Sequence, residues 1–241
     1  METTTLVDRL ARLSSELTAA ERENLKFLLS MAAGGLLSGH ARPDSESLHR
    51  AALTTAQRAL PRLHGELRPA FDTGVVFRGR APFFSTADLA VLDRESLAYR
   101  ARAARFHDHY VASGAPVARE LALSQSISDF LTARVGPVLP TYKANYLYYD
   151  QPGLGIDPHV DKDEFSLNVL TMLEHRPARR HSRLILHPPE QDAVHVQLEP
   201  GESLIFFADS VTHERTRTVE GETIRLVSFG YRTIGSIGST P

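Results

Sequence analysis

The pattern of the chain changes at Thr141. Before it, apolar residues recur at helical spacing; after it, short stretches alternate apolar and polar and are separated by turn residues. Eight of these read as strands: Lys143 to Tyr149, Ile156 to Val160, Ser166 to Leu173, Arg183 to His187, Ala193 to Leu198, Ser203 to Phe207, Val211 to Arg215 and Thr223 to Arg232. That is the count a double-sheet jelly roll needs. The expected fold class is mainly β with a helical N-terminal part, a jelly roll buttressed by α-helices.

The first third supplies the helices. Leu6, Leu10, Leu13 and Leu17 fall at helical spacing. Thr18 to Glu21 is a capping box, and Leu25, Leu28, Leu29, Ala32 and Leu36 line one face of the helix it opens. A third helix is expected from Ser47 to Leu63, with Leu48, Ala52, Ala56, Leu60 and Leu63 inward. These stripes are core packing over one face of a sheet. Residues 65 to 90, with Pro69, Gly74, Gly79, Pro82 and four phenylalanines, read as irregular, a short strand and a lid. Residues 86 to 105 and 115 to 135 read as helical. His107 and His109 share an H-x-H spacing but lack a third ligand, and His109 and Tyr110 are expected at a rim or substrate entrance. The stretch His175 to His181 reads as a solvated charged loop. The organisation is thus a helical buttress and lid over 1–140, a core over 141–232 and a Gly/Ser tail over 233–241, flexible at the terminus, in one globular domain.

Bulk properties remove several function classes. The 241 residues suit one large domain. A net charge of -2 provides no basic field for phosphate backbones, so no nucleic-acid partner is expected. With no cysteine there are no disulfides and no thiolate chemistry. No apolar stretch approaches the roughly 20 residues of a membrane span, and the N-terminus has no signal-peptide pattern. A cytoplasmic location and a small-molecule partner are expected, with no membrane association.

The residues that carry chemistry lie within the β part. His159 and Asp161 are two apart, so an extended segment aims both at one point. Pro158 discourages helix there. His213 follows the apolar run Leu204-Ile205-Phe206-Phe207. If the two strands are neighbours, two histidines and one carboxylate cap one face of a metal and leave positions open for co-substrate and oxygen. A closed zinc site would want four ligands, usually with cysteine. Arg225 sits in an otherwise apolar strand, where a charge is costly without a fixed anion. Its planar fork suits a bound carboxylate; a buried Asp or Glu is the other partner that fits. Arg215 and Arg217 are rival anion binders that share the alternation of His213, with an exposed edge as their expected home.

Taken together these motifs resemble the iron(II)- and 2-oxoglutarate-dependent dioxygenases, closest to the prolyl-hydroxylase-like branch. The matching elements are Tyr146, Tyr148 and Tyr149, Pro152-Gly153, His159 and Asp161, Gly201 to Phe207, His213, Gly221 and Arg225, within residues 143 to 232 of the 241. The resemblance implies a double-stranded β-helix in which His159, Asp161 and His213 ligate Fe(II). It implies that Arg225 binds the distal carboxylate of 2-oxoglutarate, while the 2-oxo acid chelates iron and O2 is the oxidant. The hydroxyl residue often found two after that arginine is Val227 here, and Ser228 faces the other way on a regular strand. Tyr146 or Tyr148 would then be the second anchor. Where many members have Gly-Gly-x-Leu, this chain has His181-Ser182-Arg183-Leu184. Asp161 also disfavours halogenation, for which relatives replace the carboxylate by a small residue.

The expected activity is therefore hydroxylation of a small molecule, such as an amino acid or natural-product intermediate. A prolyl-type protein hydroxylase is the alternative substrate reading, and a cupin-like metal-binding protein without oxygenase activity is the alternative class.

Overall fold

A computed structural model of the chain describes residues 5–41, 43–63, 73–177 and 179–234. The expected terminal tail lies almost wholly outside them. Two antiparallel sheets face each other. The larger runs β1-β9-β6-β11-β4-β3-β2 and the smaller β5-β10-β7-β8. Their strands are β1 Val75–Arg80, β2 Ala104–Phe106, β3 His109–Ser113, β4 Val138–Tyr149, β5 Ile156–His159, β6 Leu167–Arg176, β7 Leu184–His187, β8 Val194–Val196, β9 Glu202–Phe206, β10 Thr212–Arg215 and β11 Thr223–Thr233. All eight stretches expected from the alternation after Thr141 are strands, and together they are the jelly roll. The turns at Gly201 and Gly221 have φ of 86° and 77°, conformations that glycine adopts at no steric cost.

Alternation along β11 separates two cores. Ile224 and Leu226 point between the sheets with Leu170, Met172, Leu204 and Phe206. Val227, Phe229 and Tyr231 point outward, under helices α4 (Thr86–Tyr99), α5 (Pro116–Ala122) and α6 (Gln125–Val135). Burial of these large side chains on both faces dominates the stability of the sheet.

The helices α1 (Leu6–Glu16), α2 (Ala19–Leu37) and α3 (Glu46–Arg62) do not join that layer. They cover the outer face of the smaller sheet, where Ala33, Ala56 and Leu60 form a small core against Val160. Each sheet thus has its own helical layer, where one covered face was expected. The capping box of α2 forms, with Thr18 Oγ1 accepting from the Glu21 amide. The buried face of α2 overlaps the expected leucine stripe only in part: Leu36 is buried, and Leu29 packs half-buried against the small core. Leu28 and, on α3, Leu48 are exposed, while Lys26, Ser30, Ala33 and Gly34 face inward. Hydrophobic periodicity misplaced this face because α2 packs against the polar backbone of β5 and its C-terminal extension.

β1, β2 and β3 extend the larger sheet from within the stretch read as buttress and lid, and β4 begins at Val138. The β2–β3 hairpin is fastened by Arg217, which pairs with Asp108 at 2.8 Å and Asp157 at 2.6 Å. The Gly155 amide also donates to the Asp108 carbonyl. The charged loop after β6 is less solvated than expected. His175 is buried and bonded to Glu222 (2.8 Å), and Arg180 meets Glu199 through two 2.6 Å hydrogen bonds.

Candidate metal centre

β5 and β10 are antiparallel neighbours, and His159 lies directly opposite His213. Side chains opposite each other share a sheet face, and the two imidazole centroids are 4.4 Å apart. Asp161 lies two residues beyond the end of β5, its amide donating to the Ala208 carbonyl (2.7 Å). Its Oδ1 is 3.5 Å from His159 Nε2 and 3.7 Å from His213 Nε2. One ligand atom from each residue falls within 4.8 Å of the others, and no fourth His, Asp or Glu joins the cluster among the described residues.

The hydrogen bonds around the cluster fix which atoms point at its centre. His159 Nδ1 meets the Asp157 carbonyl (2.8 Å) and His213 Nδ1 the Val211 carbonyl (2.9 Å). A carbonyl only accepts, so each Nδ1 carries the proton and each neutral ring offers the Nε2 lone pair. Asn168 Nδ2 donates to Asp161 Oδ2 (3.0 Å), which leaves Oδ1 for the centre. Ser228 Oγ in turn donates to Asn168 Oδ1 (2.9 Å) and fixes the amide orientation. This donor set fits a first-row divalent metal held on one face. Removing an outer partner of a metal ligand weakens binding at least tenfold in general. Asn168→Ala is therefore expected to weaken Mn(II) binding by about tenfold in a calorimetric titration; wild-type affinity in that variant would remove Asn168 from the site.

Without a metal, each of the three groups is shifted by burial and by its neighbours in the cluster. Burial pushes the Asp161 carboxyl up, but its hydrogen bond to His159 and the charge of His213 outweigh this and hold it below the usual value. Burial opposes charging His159, yet the Asp161 hydrogen bond and charge raise its pKa overall. His213 is pushed down to about 4 by burial and by its neighbour His159.

The residues expected to anchor 2-oxoglutarate lie elsewhere. Arg225 points outward from β11, away from the metal cluster. Its guanidinium pairs with Glu174 (2.6 Å) and Asp93 (2.9 Å) and donates to Ser96. Tyr146 and Tyr148 point the same way: the Tyr146 hydroxyl donates to Glu95 Oε2 (2.8 Å) and the Tyr148 hydroxyl to the Ser96 carbonyl (2.7 Å). The reason is parity. Positions 146 and 148 on β4 are paired with Val227 and Arg225, and all four face the helix layer. The partners of Arg225 are thus two half-buried acids, Glu174 and Asp93.

Arg215 is the arginine on the inner face. It is two residues after His213 on β10 and only 4% exposed, against the expectation of an exposed edge. Its guanidinium lies 5.3 Å from the centroid of the Tyr149 ring, and among the described residues no carboxylate forms an ion pair with it. Burial presses its pKa downward, opposed by Tyr149 and Glu222.

His107 is exposed, and His109 is buried and stacked on the other neighbour of that wall, Tyr149, with centroids 5.2 Å apart. Burial, then the charge of His159, lowers the His109 pKa from 6.5 to about 4. The unfolded chain therefore takes up a proton that the folded one does not, so the stability contributed is full above pH 6.5 and is lost as pH falls toward 4. His213 acts in the same sense and His159 in the opposite one. In metal-free protein the urea midpoint should fall between about pH 6.5 and about pH 4.5. His109→Phe, which keeps the stacked ring, should flatten that fall; an unchanged slope would mean His109 does not contribute.

Neither a family model nor a curated protein matches the sequence. Solved structures do. The non-heme alpha-ketoglutarate-dependent epimerase SnoN of nogalamycin biosynthesis aligns with a TM-score of 0.57 and 18% identity, over 72% of this chain and 83% of its own. HygX from Streptomyces hygroscopicus, solved with nickel, 2-oxoglutarate and hygromycin B, gives 0.54 and 13%, over 69% and 86%. A 2OG-Fe(II) oxygenase family oxidoreductase from Burkholderia pseudomallei gives 0.53 and 15%, over 62% and 80%. The chain has the fold of the 2-oxoglutarate/iron(II) oxygenases. At these identities the likeness is to the fold of the superfamily as a whole. Within this oxygenase fold the sequence had pointed to His159, Asp161 and His213, which converge. It had not pointed to Asn168, and had undervalued Arg215 and Ser228. The only signal for Arg215 was its even spacing from His213.

Proposed function

We propose that this chain is a non-haem iron(II)- and 2-oxoglutarate-dependent oxygenase that hydroxylates a small molecule. His159, Asp161 and His213 would hold the iron. Arg215, in place of Arg225, would receive the distal carboxylate of 2-oxoglutarate, flanked by the Tyr149 ring. The observation that carries the reading is the convergence of two histidines with occupied Nδ1 atoms and one braced carboxylate, on the same inner face as a buried arginine that forms no ion pair among the described residues. A buried cation without a counter-charge costs several kcal/mol, and a bound dicarboxylate removes that cost.

With iron and O2 bound, the group supplies the oxidising power: one oxygen atom enters a substrate C–H bond and the other enters succinate as 2-oxoglutarate loses CO2. The chain's own residues set the conditions for this. The backbone carbonyls of Asp157 and Val211 keep both histidines as Nε2 donors. Asn168 and Ser228 hold Asp161 in one orientation. Phe206 packs edge-on against His213, centroids 4.9 Å apart, and with Leu204 and Leu226 excludes water from that side. The β2–β3 hairpin, fastened through Arg217, lies beside Tyr149 through the His109 ring. The small-molecule reading is supported by the natural-product ligands, nogalamycin RO and hygromycin B, bound in solved structures of this fold.

The test is anaerobic addition of iron(II) and then 2-oxoglutarate to metal-free protein. A visible charge-transfer band that needs both additions is expected, followed by succinate formation when air and a substrate are admitted. No band in folded, iron-loaded protein would overturn the proposal.

A further inference from the structure

Asp161 is the ligand with the least support from the sheet. β5 ends at His159, so Val160, Asp161 and Lys162 have no strand partner on a ladder. A ligand beyond a strand end moves unless other bonds fix its backbone. Besides the Asp161 amide bond to Ala208 and the Asn168 bond to its side chain, three contacts come from α2. Lys26, Ser30 and Gly34 are four residues apart, which puts them on one helix face. Each meets a different point of the segment. Gly34 abuts the Pro158 carbonyl, which a Cβ at that position would approach to 2.3 Å. Ser30 Oγ accepts from the Val160 amide at 3.1 Å. Lys26, 3% exposed, pairs with Asp163 Oδ1 at 2.7 Å. From the opposite side, Thr141 Oγ1 donates to the Glu164 carbonyl at 2.8 Å. The contacts on α2 thus bracket Asp161, before it at 158 and 160 and after it at 163.

Core packing accounts for Ala33, which joins Ala56 and Leu60, but not for Lys26, Ser30 and Gly34. A helix that only covered the smaller sheet would place leucines inward, and α2 has Phe27, Leu28 and Met31 available one step round, all exposed. It buries instead a lysine, a serine and a glycine. Burying a lysine is unfavourable unless it is paired, and Lys26 is paired with Asp163 and lies 3.9 Å from Glu23.

We infer that α2 is the brace of the metal-binding segment, with Ser30 and Lys26 as positioning residues for Asp161 and Gly34 as the close-contact point. The inference rests on the metal reading above. Ser30 and Lys26 act from outside the ligand set, Ser30 through the Val160 amide and Lys26 through the Asp163 carboxylate.

Mn(II) affinity is measured by calorimetry for wild type, Ser30→Ala, Lys26→Met and Thr18→Ala, with amide exchange of Val160 and Asp161 followed in the same proteins. Thr18→Ala is the control: it removes the N-cap of α2 far from the segment. The first two variants should bind Mn(II) about tenfold more weakly, as for loss of an outer partner, and exchange faster at Val160 and Asp161. The cap variant should stay within about twofold of wild type. Wild-type affinity in both Ser30→Ala and Lys26→Met overturns the inference, as does an equal loss in Thr18→Ala, which would reduce the effect to helix stability. Failure of the underlying metal reading looks different, because wild type and His159→Ala would then bind Mn(II) alike.

Discussion

Arg225→Met is expected to destabilise the protein by about 3 kcal/mol and to leave the 2-oxoglutarate affinity of the folded, iron-loaded protein within about twofold, whereas Arg215→Met should abolish 2-oxoglutarate binding at little cost in stability. The two arginines are ten residues apart by number and lie on opposite faces of the jelly-roll wall. Arg225 is bonded to Glu174, Asp93 and Ser96. Deleting it takes the buried cation away from both acids, leaves the half-buried Glu174 only the exposed Arg176, and removes the donor to Ser96, so most of a half-buried pair is broken. Arg215 has the Tyr149 ring and no ion pair among the described residues. Replacing it with an apolar side chain of similar length removes a desolvated charge, so the ligand-free variant should melt no lower than wild type. The measurement is a pair of thermal melts with and without 2-oxoglutarate. Bound ligand at a hundred times its dissociation constant stabilises by about 2.7 kcal/mol, so wild type and Arg225→Met should shift upward and Arg215→Met should not. A shift retained in Arg215→Met and lost in Arg225→Met would reverse the assignment.

Asp161→Ala should lower metal affinity by more than about a hundredfold, beyond the range seen when only an outer partner is lost. Its Oδ1 is the atom nearest both Nε2 donors, at 3.5 and 3.7 Å. Its loss leaves two neutral imidazoles and no anionic ligand. The variant should stay folded, because Asp161 contributes no ladder hydrogen bond and its side-chain partner Asn168 keeps its bond to Ser228. Mn(II) should raise the melting temperature of wild type and leave that of Asp161→Ala unmoved. An equal rise in both would show that the ion stabilises the protein at another place.

The sequence by itself determined the strand framework and pointed to the three residues that the fold brings together. His159 and Asp161 are two apart, His213 closes an apolar strand, and each of the eight alternating stretches after Thr141 became a strand, because these features depend only on local periodicity and on the short turns at Gly201 and Gly221. The same local reasoning separated Ser228 from Arg225 by parity. It did not show which parity faced the metal, since both faces of β11 are buried and both are apolar apart from these residues. Only the tertiary structure decided that, by stacking α4 to α6 on one face and the smaller sheet on the other. That choice sent Arg225, Tyr146 and Tyr148 to the acids and carbonyls of α4 and kept Arg215 inside. It also decided the role of α2, whose buried face is turned from the leucine stripe and shares only Leu36 with it. The neighbour of that helix is a strand end off the ladder, where Ser30 accepts from the Val160 amide, Lys26 pairs with Asp163 and Gly34 makes room for the Pro158 carbonyl, contacts that leucines could not make.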